Sequence, residues 1–188
     1  MATTILTSVL DRSPAPVFCP FTVLIDQREQ APFCFADLPA GSQYKGRPLV
    51  VPTETALIAT GDYSIRHFHH LVVIERKSVA DLWGSLGTGR ERFESEHQRM
   101  QQIVQAGGYA AVVIEGNWGM IARQKPQQSR LHYNSLYGTA CHWSIRYGVH
   151  WWAENGRRDA ELRTYRLLEA FWVQWQKKQE EAGKGEFS

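Results

Sequence analysis

The stretch Leu71–Lys77, LVVIERK, constrains this chain most. Four apolar residues in a row fit a strand buried on both faces, and three charged residues at its end must emerge where that strand leaves the core. In open α/β sheets such strand ends are where ligands meet the fold. Tyr63–Arg66 reads as a short strand before it, with His67–His70 as the connecting turn. If that turn is centred between Phe68 and His69, Asp62 lies opposite Glu75. Antiparallel neighbours on one face have Cβ atoms roughly 5 Å apart, so the two carboxylates converge. Alternation puts Lys77 on the face of Glu75 and turns Arg76 to the other. A register slip of one residue would undo this convergence.

Two adjacent carboxylates repel unless a cation or a proton joins them. Their oxygens suit a hard ion, Mg²⁺ or Mn²⁺. Such an ion polarises a phosphate and activates water, and a neighbouring lysine stabilises the charge that develops. Asp62, Glu75 and Lys77 thus form a complete set for phosphodiester hydrolysis. The competing interpretation is a plain surface ion pair between Glu75 and Lys77, which the buried run LVVI disfavours.

The rest of the chain reads as one α/β domain with a mixed sheet flanked by helices. Residues 1–20 are rich in Ala, Thr, Ser and Pro and read as a loose arm; 21–182 form the domain and 183–188 a tail. Strands are expected at Phe21–Asp26, Leu49–Val51, Ala56–Ile58, Tyr109–Glu115 and Val149–Ala153. Residues 27–48, with three prolines and two glycines, read as an irregular connection. Ser78 and Asp81 have capping-box spacing and should open a helix, which Gly84, Gly87 and Gly89 interrupt. Further helices are expected over Arg90–Ala106, Leu131–Tyr147 and Arg157–Glu180, with a mobile loop at 116–130.

These residues resemble a known family. Gly61-Asp62, Glu75-Arg76-Lys77 and Asp81 are similar to the GD…ERKxxxD signature of XPF-type endonucleases. Those enzymes belong to the PD-(D/E)xK, restriction-endonuclease-like superfamily. Asp26-Gln27-Arg28-Glu29 resembles the family's D-x-R-E, and the helix from Arg90 and the strand Val113–Gly116 resemble the segments after the signature. The resemblance implies a restriction-endonuclease-like fold. It makes Asp62 and Glu75 metal ligands, Lys77 the catalytic lysine and Asp26 a further catalytic and metal-site carboxylate. Glu29 and Asp81 match other motif positions, and Ser78 alone would account for Asp81. The chain departs from the pattern at Glu96, where the family has glutamine, and ends without room for paired helix-hairpin-helix modules.

The formal net charge of +2 announces no global nucleic-acid field, so DNA contacts rest on local basic residues. Arg28, Arg76, Arg90 and Arg92, with Arg123, Lys125 and Arg130 of the 116–130 segment, are the candidates. Trp118 in that segment is a candidate for stacking on an unpaired base. Three cysteines, Cys19, Cys34 and Cys141, match no zinc spacing and read as free thiols in a reducing compartment, with Cys141 packed in its helix. His67, His69 and His70 match no closed zinc set either. No signal peptide or membrane span is read. Leu167 and Phe171 exceed what covering the sheet requires, and point to a homodimer through helices 131–147 and 157–180. The expectation is a cytoplasmic, Mg²⁺- or Mn²⁺-dependent DNA endonuclease acting on branched or flapped DNA in repair or recombination, in a compact form suited to a phage or prophage. The alternatives are a catalytically silent DNA-binding scaffold and a sequence-specific restriction-type nuclease, and no base-reading insertion supports the latter.

Overall fold

The computed structural model describes residues 14–44 and 46–185. A first short strand, β1 (Val17–Phe18), is followed by β2 (Val23–Asp26), β3 (Leu49–Val50), β4 (Thr53–Ala56), β5 (Tyr63–Ile65) and β6 (Val72–Lys77). Then come α1 (Val79–Leu86), α2 (Arg90–Gln105), β7 (Tyr109–Ile114), α3 (Trp118–Arg123), α4 (Tyr133–Tyr147), β8 (His150–Ala153) and α5 (Arg157–Gly185).

Six strands form one mixed sheet in the order β4-β2-β5-β6-β7-β8. The β2–β5 and β5–β6 pairs are antiparallel; β2–β4, β6–β7 and β7–β8 are parallel. Helices form the crossovers that parallel neighbours need: α1 and α2 between β6 and β7, α3 and α4 between β7 and β8. Both faces of the sheet are covered. On one side Val72, Ile74, Ala111 and Val113 pack with Tyr165 and Leu168 of α5. On the other, Val73, Val112 and Ile114 pack with Leu82, Phe93, Met100 and Trp143 of α1, α2 and α4. This double burial is why β6 and β7 read as continuous apolar runs. Leu71–Ile74 therefore occupies the centre of the sheet, and its charged end opens on one edge of the core.

Several expectations change. The fourth strand lies at Thr53–Ala56, not Ala56–Ile58. It is the edge of the six-stranded sheet, so the polar TETA suits it, while Leu57 stands 67% exposed and Ile58 turns inward from the loop beyond. The expected loop at 116–130 contains α3, because Asn117 caps the N–H of Met120 and Ile121 is buried. Trp118 packs edge-on against Tyr137, which occupies the ring expected to meet a base. Helix α4 presents Leu136, Ala140, Trp143 and Tyr147 to the core. Cys141, expected to be packed in this helix, is exposed, and Tyr137 and Ile145 beside it face out, with Ile145 88% exposed. Aromatic residues on both sides of this helix leave its periodicity ambiguous by about one position. In the expected N-terminal arm, Val17 and Phe18 pair with Leu49 and Val50, and Cys19 is buried. The rest of that arm, residues 1–13, and residues 186–188 of the expected tail lie outside the described residues.

Candidate active site

Tyr63 pairs with Ile74, the register that sets Asp62 opposite Glu75. Gly61 makes this approach possible: its φ is +77°, and a Cβ there would stand 3.0 Å from Val73 Cβ and 3.3 Å from the Ile74 carbonyl oxygen. The Asp62 N–H donates to Ile74 O (2.8 Å), and the Arg76 N–H donates to Asp62 Oδ2 (2.7 Å). The backbone of β6 thus fixes the side chain of Asp62 directly. Glu75 and Lys77, 6% and 8% exposed, point to the α2 side of the sheet, and the ammonium of Lys77 bonds Glu75 Oε1. That ammonium lies 4.8 Å from the centre of the Phe93 ring and 3.9 Å from Glu96 Oε2.

Two hollows, about 820 and 460 Å³, meet at these three side chains. Burial, and then the charge of Glu75, push the carboxyl of Asp62 well above the usual carboxylate range. Burial also raises Glu75, against the pull of Lys77 and with the charge of Glu96 adding to it. Lys77 is lowered by burial, but the charge and hydrogen bond of Glu75 outweigh this and hold it firmly protonated. The pair therefore binds a proton too readily, and a divalent cation would relieve the same repulsion. Asp62 Oδ1 and Glu75 Oε2 accept no hydrogen bond among the described residues, so two hard oxygens remain for such an ion. No group of three or more His, Cys, Asp or Glu side chains is arranged to hold a metal among the described residues. A two-carboxylate site suits an ion that keeps several waters, as Mg²⁺ does.

The other expected residues divide between cleft and scaffold. Asp26 is 2% exposed and takes four donors: the Arg28 guanidinium on both oxygens (2.7 and 2.9 Å), the Arg28 N–H (2.8 Å) and the Ile58 N–H (2.8 Å). Burial alone would raise its carboxyl, yet these bonds hold it below the usual range. Four donors already meet its oxygens, so the expected role of Asp26 as a metal ligand would require the Arg28 guanidinium to give way. Arg28, though clamped to Asp26, still lines both hollows. Arg76 points to the opposite face, as alternation requires, and bonds Glu115 (2.7 Å) and Glu29 (3.3 Å) over the Phe33 ring. Its side chain is 9% exposed, which replaces the expected DNA contact with a structural one. Ser78 caps α1 through the Asp81 N–H, and its hydroxyl donates to Asp81 Oδ2 (2.6 Å), so Asp81 closes the cap at the cleft wall. Arg90 leans away onto the Trp143 ring and Thr139, bracing α2 against α4. Arg92 is exposed and lines both hollows. Arg123, Lys125 and Arg130 are exposed and line neither.

Sequence reasoning missed three residues. Arg99 lies on the same stripe of α2 as Arg92 and Glu96, at spacings that periodicity could have supplied. Glu115 follows Ile114, the register partner of Lys77, and donates its N–H to Lys77 O (2.9 Å), where its pairing with Arg76 was open to inference. Arg157 joins Glu115 (2.6 Å) and the carbonyls of Ala31 and Pro32, and no local signal announced it.

The mixed sheet with helices on both faces is an α/β domain, and Asp62, Glu75 and Lys77 cluster at the end of its central strands. Residues 25–160 match the ERCC4 domain family, and the chain belongs to that family. Among solved structures it is similar to XPF from Aeropyrum pernix, with a TM-score of 0.56 and 18% identity over 79% of this chain and 60% of that one. It is also similar to XPF from Aeropyrum pernix in complex with DNA, with a TM-score of 0.53 and 18% identity over 84% of this chain and 66% of that one. Both likenesses show the fold, and the chain spans less than two thirds of each of those structures. A comparison with curated proteins found no match.

Proposed function

We propose that this chain is a divalent-metal-dependent DNA endonuclease, with residues 21–182 as one nuclease unit. The observation that carries the proposal is the convergence of Asp62 and Glu75 beside Lys77 where two hollows meet. Asp62 and Glu75 would hold Mg²⁺ or Mn²⁺, which supplies Lewis-acid polarisation of the scissile phosphate and an activated water. Lys77, which stays protonated, stabilises negative charge on the phosphate as the water attacks. Phe93 beneath the ammonium keeps bulk water from its far side. Family membership supports a preference for branched or flapped DNA and a role in repair or recombination in the cytoplasm. Plasmid, linear duplex and flap substrates, each with Mg²⁺ and with EDTA, test this. Metal-dependent cutting is expected, fastest on the flap. Equal rates on all three would remove the structural preference, and cutting in EDTA would remove the metal.

Arg92 and Arg99, exposed on the cleft stripe of α2, are the phosphate contacts this geometry favours. Replacing both with Ala should weaken DNA binding across all sequences and lower the salt slope by about 1.8, near 0.9 for each phosphate no longer neutralised. An unchanged slope in fluorescence anisotropy would contradict that assignment.

The proposed homodimer draws support from the exposed face of α4, with Tyr137 and Ile145 43% and 88% exposed, and from the half-buried Leu167 and Phe171 of α5. The two helices lie on opposite faces of the sheet, so each is a separate candidate surface, and exposed apolar groups of this size suit an interface. Sedimentation at micromolar concentration should give twice the chain mass, falling to one with Ile145→Glu; a strictly monomeric wild type would exclude the dimer.

A further inference from the structure

Glu96 stands where the resemblance to XPF-type enzymes leads one to expect glutamine, and its surroundings give the difference a use. Helix α2 turns Phe93, His97 and Met100 into the core, and Glu96 lies beside them at the cleft edge. Its Oε2 is buried and accepts no hydrogen bond. The nearest cation is the ammonium of Lys77 at 3.9 Å, close enough for an ion pair and too far for a hydrogen bond. Lys77 carries three donors; one goes to Glu75, and the ring of Phe93 faces the ammonium. Lys77 thus sits between two carboxylates, bonded to Glu75 and about one ångström short of a bond to Glu96.

An unpartnered buried carboxylate oxygen is costly, so this arrangement favours a state in which Glu96 is met. A cation shared by Asp62 and Glu75 would draw off the charge that now holds Lys77. We propose that Glu96 is a positioning residue, the second seat of Lys77, which holds the ammonium over Phe93 when Glu75 is engaged by a divalent cation. The inference rests on the nuclease assignment for its purpose, while the switch of partner is a property of the protein with metal alone. A glutamine at this position would offer an acceptor without the charge; Glu96 offers both.

Two measurements on Glu96→Ala and Glu96→Gln decide it. The ¹⁵N–¹H signal of the Lys77 ammonium, assigned with Lys77→Arg, is followed as Mg²⁺ is added to the protein without DNA. In the wild type the signal should shift and stay protected from exchange; in Glu96→Ala it should broaden away once Mg²⁺ binds. In steady-state cleavage, kcat should fall about 10- to 100-fold in Glu96→Ala, the worth of one charge-assisted hydrogen bond, and less in Glu96→Gln. The KM for DNA and the calorimetric Mg²⁺ affinity should stay near wild type, and the melting temperature without metal should be no lower than wild type. The same Lys77 response in Glu96→Ala as in the wild type would overturn the proposal. So would a wild-type signal indifferent to Mg²⁺, or a fall in kcat matched by a fall in Mg²⁺ affinity, which would make Glu96 a ligand. A wild-type protein that cuts no DNA would defeat the nuclease assignment, and the Lys77 signal would still decide the role of Glu96.

Discussion

Asp62→Asn, Glu75→Gln and Lys77→Ala should each reduce DNA cleavage by at least ~10²- to 10³-fold, because each removes a metal ligand or the group that stabilises developing charge. Asp62→Asn is not expected to act by unfolding the protein. Asn at position 62 can keep the bond from the Arg76 N–H, and it removes a carboxylate that burial and Glu75 both oppose. A buried acid whose pKa is raised in the folded state lowers stability at pH values above its unfolded pKa, and an amide does not. Asp62→Asn should therefore melt at or above the wild-type temperature in EDTA while being inactive. Active sites commonly trade stability for chemistry in this way. Melting curves in EDTA beside cleavage rates in Mg²⁺ check both halves. A lower melting temperature would show that Asp62 is a structural residue, and wild-type rates in any two of the three variants would refute the assignment.

The second large effect concerns Arg76, next in sequence to two proposed site residues yet placed on the other face. It ties the 27–33 loop to the sheet through Glu29, and β7 through Glu115, which Arg157 also holds. All three side chains of the Glu29–Arg76–Glu115 group are at most 12% exposed. Removing one member of such a group strands buried charge and costs about 3–5 kcal/mol. Arg76→Ala should therefore lower the melting temperature by on the order of 10 °C for a chain of this size. Arg76→Met with Glu115→Leu should recover part of that loss, because it removes two of the three charges and fills the space, leaving only Glu29 unpaired. Differential scanning calorimetry measures both; an Arg76→Ala protein as stable as the wild type would show that the network contributes nothing.

The convergence of Asp62, Glu75 and Lys77 was legible because strand alternation has a fixed period and the turn at Phe68-His69 sets the register. The α1 cap was legible for the same local reason, since Ser78 and Asp81 lie within one turn. What was not legible depends on residues distant in sequence. Asp26 carries the motif of a site carboxylate, but the bond from the Ile58 N–H, 32 positions away, helps fill its oxygens. Arg76 and Arg90 look alike in sequence to Arg92; only Glu29, Glu115 and Trp143 show that the first two are held in protein contacts. The error in α4 has a different source. Trp143 and Tyr147 lie on one side of that helix and Tyr137 and Ile145 on the other, so apolar periodicity does not choose the buried face. Tertiary packing against α2 and β8 does.

Asp62 and Glu75 are proposed to hold a divalent cation beside Lys77 to cut DNA. Single-turnover cleavage of a labelled flap substrate, with the protein in excess, tests it most directly. Three reactions suffice: wild type in Mg²⁺, wild type in EDTA, and Glu75→Gln in Mg²⁺. The account predicts product in the first alone. Cleavage by Glu75→Gln at the wild-type rate, or by the wild type in EDTA, would contradict it.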